Sequence, residues 1–128
     1  MIAIGIGANS RATQDDIVAG IDDIRREANG ADVVAAFDGA PFAHLVQDAA
    51  SRRALEYRPL PLEALRQRNA DCVTRSDRTF DLFGVASIAE ASALAAAGPG
   101  SQLIVSRRTI GNATVAAAKS ADAKERTP

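Results

Sequence analysis

Apolar and polar positions along this chain alternate between short β-compatible runs and helical stripes. Ile2, Ala3, Ile4, Gly5, Ile6 and Gly7 make a small, mostly apolar run that suits a central strand. Asn9-Ser10-Arg11 follows as a polar loop, and Thr13 with Asp16 has the spacing of a helix-capping box. Ile17, Val18, Ile21, Ile24 and Ala28 then share one helical face, with Asp22, Asp23, Arg25 and Arg26 mostly opposite. Asn29-Gly30 supplies the left-handed backbone that ends a helix. Asp32 to Phe37 reads as a second strand closed by the turn pair Asp38-Gly39. Pro41 opens a second helix, whose stripe of Phe42, Leu45, Val46, Ala49 and Ala50 runs to about residue 53.

The second half continues the alternation less regularly. Leu55 to Leu60 reads as a strand, and Pro59 and Pro61 assign it to a sheet edge. Leu62 to Arg68 predicts a short helix, and residues 69–83 predict a mobile surface loop. Ser87 and Glu90 are spaced as a second capping box, before an alanine-rich helix that buries Ile88, Ala91, Leu94 and Ala95 and stops at Gly98. Two β-compatible runs, 103–108 and 113–118, flank Gly111-Asn112 and predict a hairpin. The expected fold is α/β: a three-layer sandwich around a mostly parallel mixed sheet with a C-terminal hairpin. Residues 1–118 form the single expected domain, and the polar residues 119–128 a disordered tail.

Composition narrows the chemistry. No apolar run approaches the roughly 20 residues of a membrane span, and Met1 leads into a strand rather than a signal peptide, so a soluble, cytoplasmic protein is expected. A net charge of −1 argues against general nucleic-acid binding. With one cysteine, Cys72, and one histidine, His44, the usual zinc sites are excluded, and no metal is expected. Thirteen of the fifteen basic residues are arginine. That bias suits a polyanionic ligand, and a GC-rich genome also produces it. Arg52, Arg53, Arg66 and Arg68 read as solvated helix faces.

The order of these signals resembles the cobalamin-biosynthesis CobE family, which is also the C-terminal domain of CbiG proteins. Two stretches carry the resemblance, Gly5-Ile6-Gly7 through Thr13 and Gly84-Val85-Ala86-Ser87 through Gly98, within a match over roughly residues 2–118. The family's first loop usually holds a cysteine and a basic pair. Here it reads Ala8-Asn9-Ser10-Arg11, which removes a thiol mechanism from that loop. The lysine usual after the second strand is also absent, whereas Arg107 and Arg108 stand where the family has basic residues near its last hairpin. With Met1 leading directly into the first strand, the stand-alone form of the family is expected.

The resemblance implies a domain of the corrin-ring pathway. The expected function is binding of a carboxylate-rich precorrin or corrinoid intermediate, stand-alone and non-catalytic, with another enzyme of the pathway as a second partner. The alternative is hydrolysis of the lactone of a (cobalt-)precorrin, and neither role calls for a cofactor of the protein's own. Gly7, Asn9, Ser10, Arg11 and Thr13 in the first loop, Asp38 after the second strand, and Arg107, Arg108 and Thr109 at the late turn are the candidate ligand contacts. A nucleotide-binding domain is the weaker rival. Gly5-x-Gly7-x-x-Ser10 lacks the third glycine of a dinucleotide fingerprint, and the loop before Thr13 is too long for its tight turn.

Overall fold

The apolar opening run becomes β1 (Ile2–Ala8), the middle strand of a five-stranded sheet ordered β3-β2-β1-β5-β4. The computed structural model describes residues 1–121. β2 (Val33–Phe37) and β3 (Glu56–Leu60) lie parallel to β1 on one side. β5 (Ala113–Lys119) pairs antiparallel with β1 on the other and with β4 (Gln102–Ile110) beyond it, so four of the five strands point the same way. The sheet is therefore mixed and mostly parallel, with the C-terminal hairpin at one edge and the proline-bearing β3 at the other.

Side-chain alternation divides the core into two layers. Ile4, Ile6, Val34, Ala36, Val115 and Ala117 face helices α1 (Gln14–Ala28) and α2 (Ala43–Arg52), where Ile17, Ile21, Ile24 and Val46 are wholly buried. Each such side chain contributes about 1.5–3 kcal/mol by leaving water. Ala3, Val33, Ala35 and Ala118 face α5 (Ile88–Ala97) through Ala93, Leu94, Ala96 and Ala97. The result is the α/β three-layer sandwich expected from the alternation. Thr13 caps α1 with both arms of its box formed, and Asn29 ends that helix at φ 63°.

Three local expectations change. Residues 69–83 are not a simple loop: they form a 3-10 turn, Asn69–Asp71, and a two-turn helix, α4 (Asp77–Phe83), after the short α3 (Leu62–Arg66). Ser76 caps α4 by accepting the Thr79 N–H at 3.2 Å, and Gly84 ends it at φ 72°. The helix escapes the periodicity test because it is short and buries none of its residues fully. Around α5, Ala95 is only partly buried, while Ala93, Ala96 and Ala97 pack on the sheet and Ala91 packs with Leu65 of α3 and Val85, so the helix is covered on two sides. Finally, β5 runs to Lys119, and the buried Ser120 donates its N–H to Met1 O at 2.9 Å. The rest of the expected tail, residues 122–128, lies outside the described residues.

Candidate functional site

β1 and β2 end beside a crevice where the chain's progression across the sheet reverses: α1 carries it from β1 to β2 on one side, and β5 returns on the other. Strand ends at such a switch point are where open α/β sheets hold ligands. The cleft there measures about 580 Å³, within the range of roughly 300–1,000 Å³ usual for small-molecule sites. Asn9, Ser10 and Ala12 of the first loop form one wall, and Pro41, Phe42 and His44 at the entry to α2 form another. Thr79 and Phe83 of α4 with Ile88 of α5 close a third side. The hairpin contributes Arg107, Thr109, Asn112 and Thr114.

Asn9 ties the first loop to the hairpin. Its backbone N–H donates to Asn112 O at 3.1 Å and its Nδ2 to Asn112 Oδ1 at 3.0 Å, while its own Oδ1 accepts the Arg11 N–H at 2.8 Å. Phe83 packs edge-on against Phe37 with ring centres 5.9 Å apart, which seats the end of α4 on the end of β2. Arg66 Nε donates to Phe83 O at 2.8 Å and holds the same end from α3.

Of the residues singled out from the sequence, Asn9, Ser10, Arg107 and Thr109 line this cleft together. Arg11, Thr13, Asp38 and Arg108 are not among its lining residues. Arg11 is exposed. Thr13 is occupied by its capping box, with the Asp16 N–H at 3.2 Å from its Oγ1. Asp38 is exposed, and its charge, second to burial, pushes the Tyr57 phenol above its usual pKa. Arg108 turns toward α1, where Nε meets Asp23 Oδ2 at 2.7 Å. Gly7 backs onto Thr114 and Ile88, so a side chain there would press on protein.

The lining is electrostatically one-sided. Among the described residues it includes no Asp, Glu or Lys, and its ionisable side chains are Arg107 on β4 and His44 on α2. The Arg107 guanidinium has no carboxylate within 4 Å among the described residues, unlike that of Arg108 beside it. Glu90, the third residue of α5, does not close a capping box. Ser87 Oγ accepts the Glu90 N–H at 3.2 Å, but the carboxylate points elsewhere. Its Oε1 accepts the N–H groups of Val73 and Thr74 at 2.8 and 3.0 Å, and its Oε2 accepts Thr74 Oγ1 at 3.0 Å and the Arg107 N–H at 2.9 Å. Among the described residues no three His, Cys, Asp or Glu side chains converge as metal ligands.

Sequence reasoning did not find His44, Thr79 or Phe83 as cleft residues. The only available signal for His44 was its place in the first turn of a helix that follows a strand end.

Comparison with known proteins fixes the family. Residues 2–118 match the family described as cobalamin synthesis G C-terminus. No curated protein matches the chain. The crystal structure of CobE, a protein from the cobalamin (vitamin B12) biosynthetic pathway, superposes with a TM-score of 0.81 at 23% identity, covering 92% of this chain and 89% of that one. The cobalamin biosynthesis protein chiG from Agrobacterium tumefaciens superposes with a TM-score of 0.76 at 31% identity, covering 95% of this chain and 100% of that one. The chain belongs to the cobalamin synthesis G C-terminus family and is a protein of cobalamin biosynthesis.

Proposed function

We propose that this protein binds a carboxylate-bearing precorrin or corrinoid intermediate by one edge, in the cleft at the ends of β1 and β2, without transforming it. The observation that supports this most directly is the composition of the cleft wall. Apolar rings and chains of Phe37, Phe42, Phe83 and Ile88 meet neutral hydroxyls and one uncommitted guanidinium, Arg107, with no carboxylate among the described lining residues. A macrocycle that presents a flat apolar face and a rim of carboxylates matches both parts, and an arginine takes a carboxylate in bidentate fashion.

The test is titration of the purified protein with hydrogenobyrinic acid, followed by its visible spectrum, for wild type, Arg107→Ala and Arg11→Ala. Saturable binding that weakens in Arg107→Ala and not in Arg11→Ala supports the cleft. Equal binding by all three variants removes it. The second reading, hydrolysis of a precorrin lactone, rests on His44, the single imidazole among the described lining residues and the side-chain type most often used as a general base. Release of product from a lactone-bearing precorrin by wild type and not by His44→Ala would favour that reading.

A further inference from the structure

We infer that Glu90 is a positioning residue that fixes Arg107 in the cleft wall. The inference rests on the ligand reading above for its consequence, but its geometry stands apart from it. A fully buried carboxylate is costly unless its oxygens are satisfied, and Glu90, 0% exposed, has four donors on its two oxygens. With four donors engaged it faces no reacting group; what it does is hold backbone.

The backbone it holds belongs to two different walls of the cleft. The Arg107 N–H comes from β4 where the β4–β5 ladder slips register, between Val105 and Arg108. At such an irregularity the strand's own pairing does not dictate which way a residue points. The bond to Oε2 turns the Arg107 amide toward α5, and the next residue, Arg108, goes to Asp23 on α1. Adjacent arginines are thus sent to opposite layers, one to a salt bridge and one to the cleft. Through Val73 and Thr74, the same carboxylate anchors the strap that leads into Ser76 and α4.

Glu90→Gln separates these contacts. The amide oxygen in place of Oε1 still accepts from Val73 and Thr74. The NH2 in place of Oε2 can donate to the Thr74 hydroxyl but opposes the Arg107 N–H. One of the four bonds is lost, and it is the one to Arg107.

The experiment combines residue-resolved amide hydrogen exchange with hydrogenobyrinic acid titration of wild type, Glu90→Gln, Arg107→Ala, the double variant and Thr74→Val. In Glu90→Gln the Arg107 amide should lose protection at least about tenfold while Val73 and Thr74 keep theirs. Affinity should fall about 10- to 100-fold, the range for one charge-assisted contact, as far as in Arg107→Ala and no further in the double variant. Thr74→Val, which spares the Arg107 bond, should bind as wild type does. Unchanged Arg107 protection in Glu90→Gln, additive losses in the double variant, or an equal loss in Thr74→Val would each overturn the inference. Absence of binding by wild type would overturn the ligand reading instead, and the exchange result would still decide the positioning. If Glu90→Gln does not fold, wild-type exchange decides: an Arg107 amide that opens only with global unfolding supports the pin, and a fast one overturns it.

Discussion

Gly5 on β1 lies directly beneath Ala89 on α5, so closely that a Cβ at Gly5 would collide with the Ala89 carbonyl oxygen and come within 2.5 Å of the Ala93 nitrogen. Both obstacles are backbone, which cannot rotate away as a side chain can. This contact explains why six of the ten residues of that helix are alanine and why the central strand facing it carries glycine: the two layers approach at backbone distance. Gly5→Ala is expected to destabilise the fold by about 3 kcal/mol or more, the upper range for overpacking. Gly7→Ala, whose main obstacle is the movable Thr114 Oγ1 at 2.6 Å, should cost about 1 kcal/mol. Urea denaturation of the two variants checks the ranking, and equal midpoints would refute it.

Arg68 closes the far end of the same helix. Its Nη1 donates toward Leu94 O, Gly98 O and Ser101 Oγ at 2.7–3.0 Å, its Nη2 to Ser101 O at 2.8 Å, and its Nε to Asp71 at 2.9 Å. Helix C-termini leave carbonyls without intrahelical partners, and a cation there is favoured by the helix dipole. Arg68→Ala should cost about 3 kcal/mol, because it orphans several acceptors in a mostly buried place. Arg68→Lys should recover less than half of that, since one ammonium cannot reach acceptors on both sides of a planar fork. Thermal and urea melts at neutral pH measure both.

That role was invisible in the sequence, where Arg68 reads as a solvated helix face. Periodicity reports which face of a helix is apolar, and so β1, α1 and the hairpin were legible from the spacing of Ile4, Ile17 and Ile21 and from Gly111-Asn112. It does not report which long polar side chain folds back over a neighbouring element. Glu90 illustrates the same limit: its spacing from Ser87 matches a capping box, yet its oxygens are claimed by Val73, Thr74 and Arg107, the last of them 17 residues away. One sign was present, a carboxylate within an otherwise small and apolar helix. The cleft was half legible. Asn9 and Ser10 followed from a strand end, and Arg107 and Thr109 were singled out near the last hairpin, where the family resemblance places basic residues, although both lie within β4; Thr79 and Phe83 depended on α4, too short to show a pattern.

Ser92 offers a test of opposite sign. Its hydroxyl is buried in α5 and has no hydrogen-bond partner among the described residues. A buried hydroxyl without a partner loses its hydration for nothing in return. Ser92→Ala keeps the helix, raises its propensity and removes the orphan, so it should stabilise the protein by about 1 kcal/mol. A fall in the urea midpoint would show that the hydroxyl has an acceptor after all.

Cys72 should behave as a half-buried, slowly reacting thiol with a distinct alkaline signature. Burial first, and the Glu90 carboxylate second, push its pKa from 9.0 up to about 11. At pH 8 the reactive thiolate is then about a hundredfold scarcer than for an ordinary cysteine, and iodoacetamide should label the folded protein correspondingly slowly. The labelling rate should keep rising through pH 10 instead of levelling off above 9. Stability follows the same shift. The folded chain holds this proton more tightly than the unfolded one, so the thiol's contribution is whole below pH 9 and is lost as the pH climbs toward about 11. Cys72→Ala has no such proton to lose. Urea melts from pH 8 to 11 should show wild type losing stability faster than the variant, with Tyr57 titrating equally in both. Parallel pH profiles, or a labelling plateau near pH 9, would place the thiol in water rather than against Glu90.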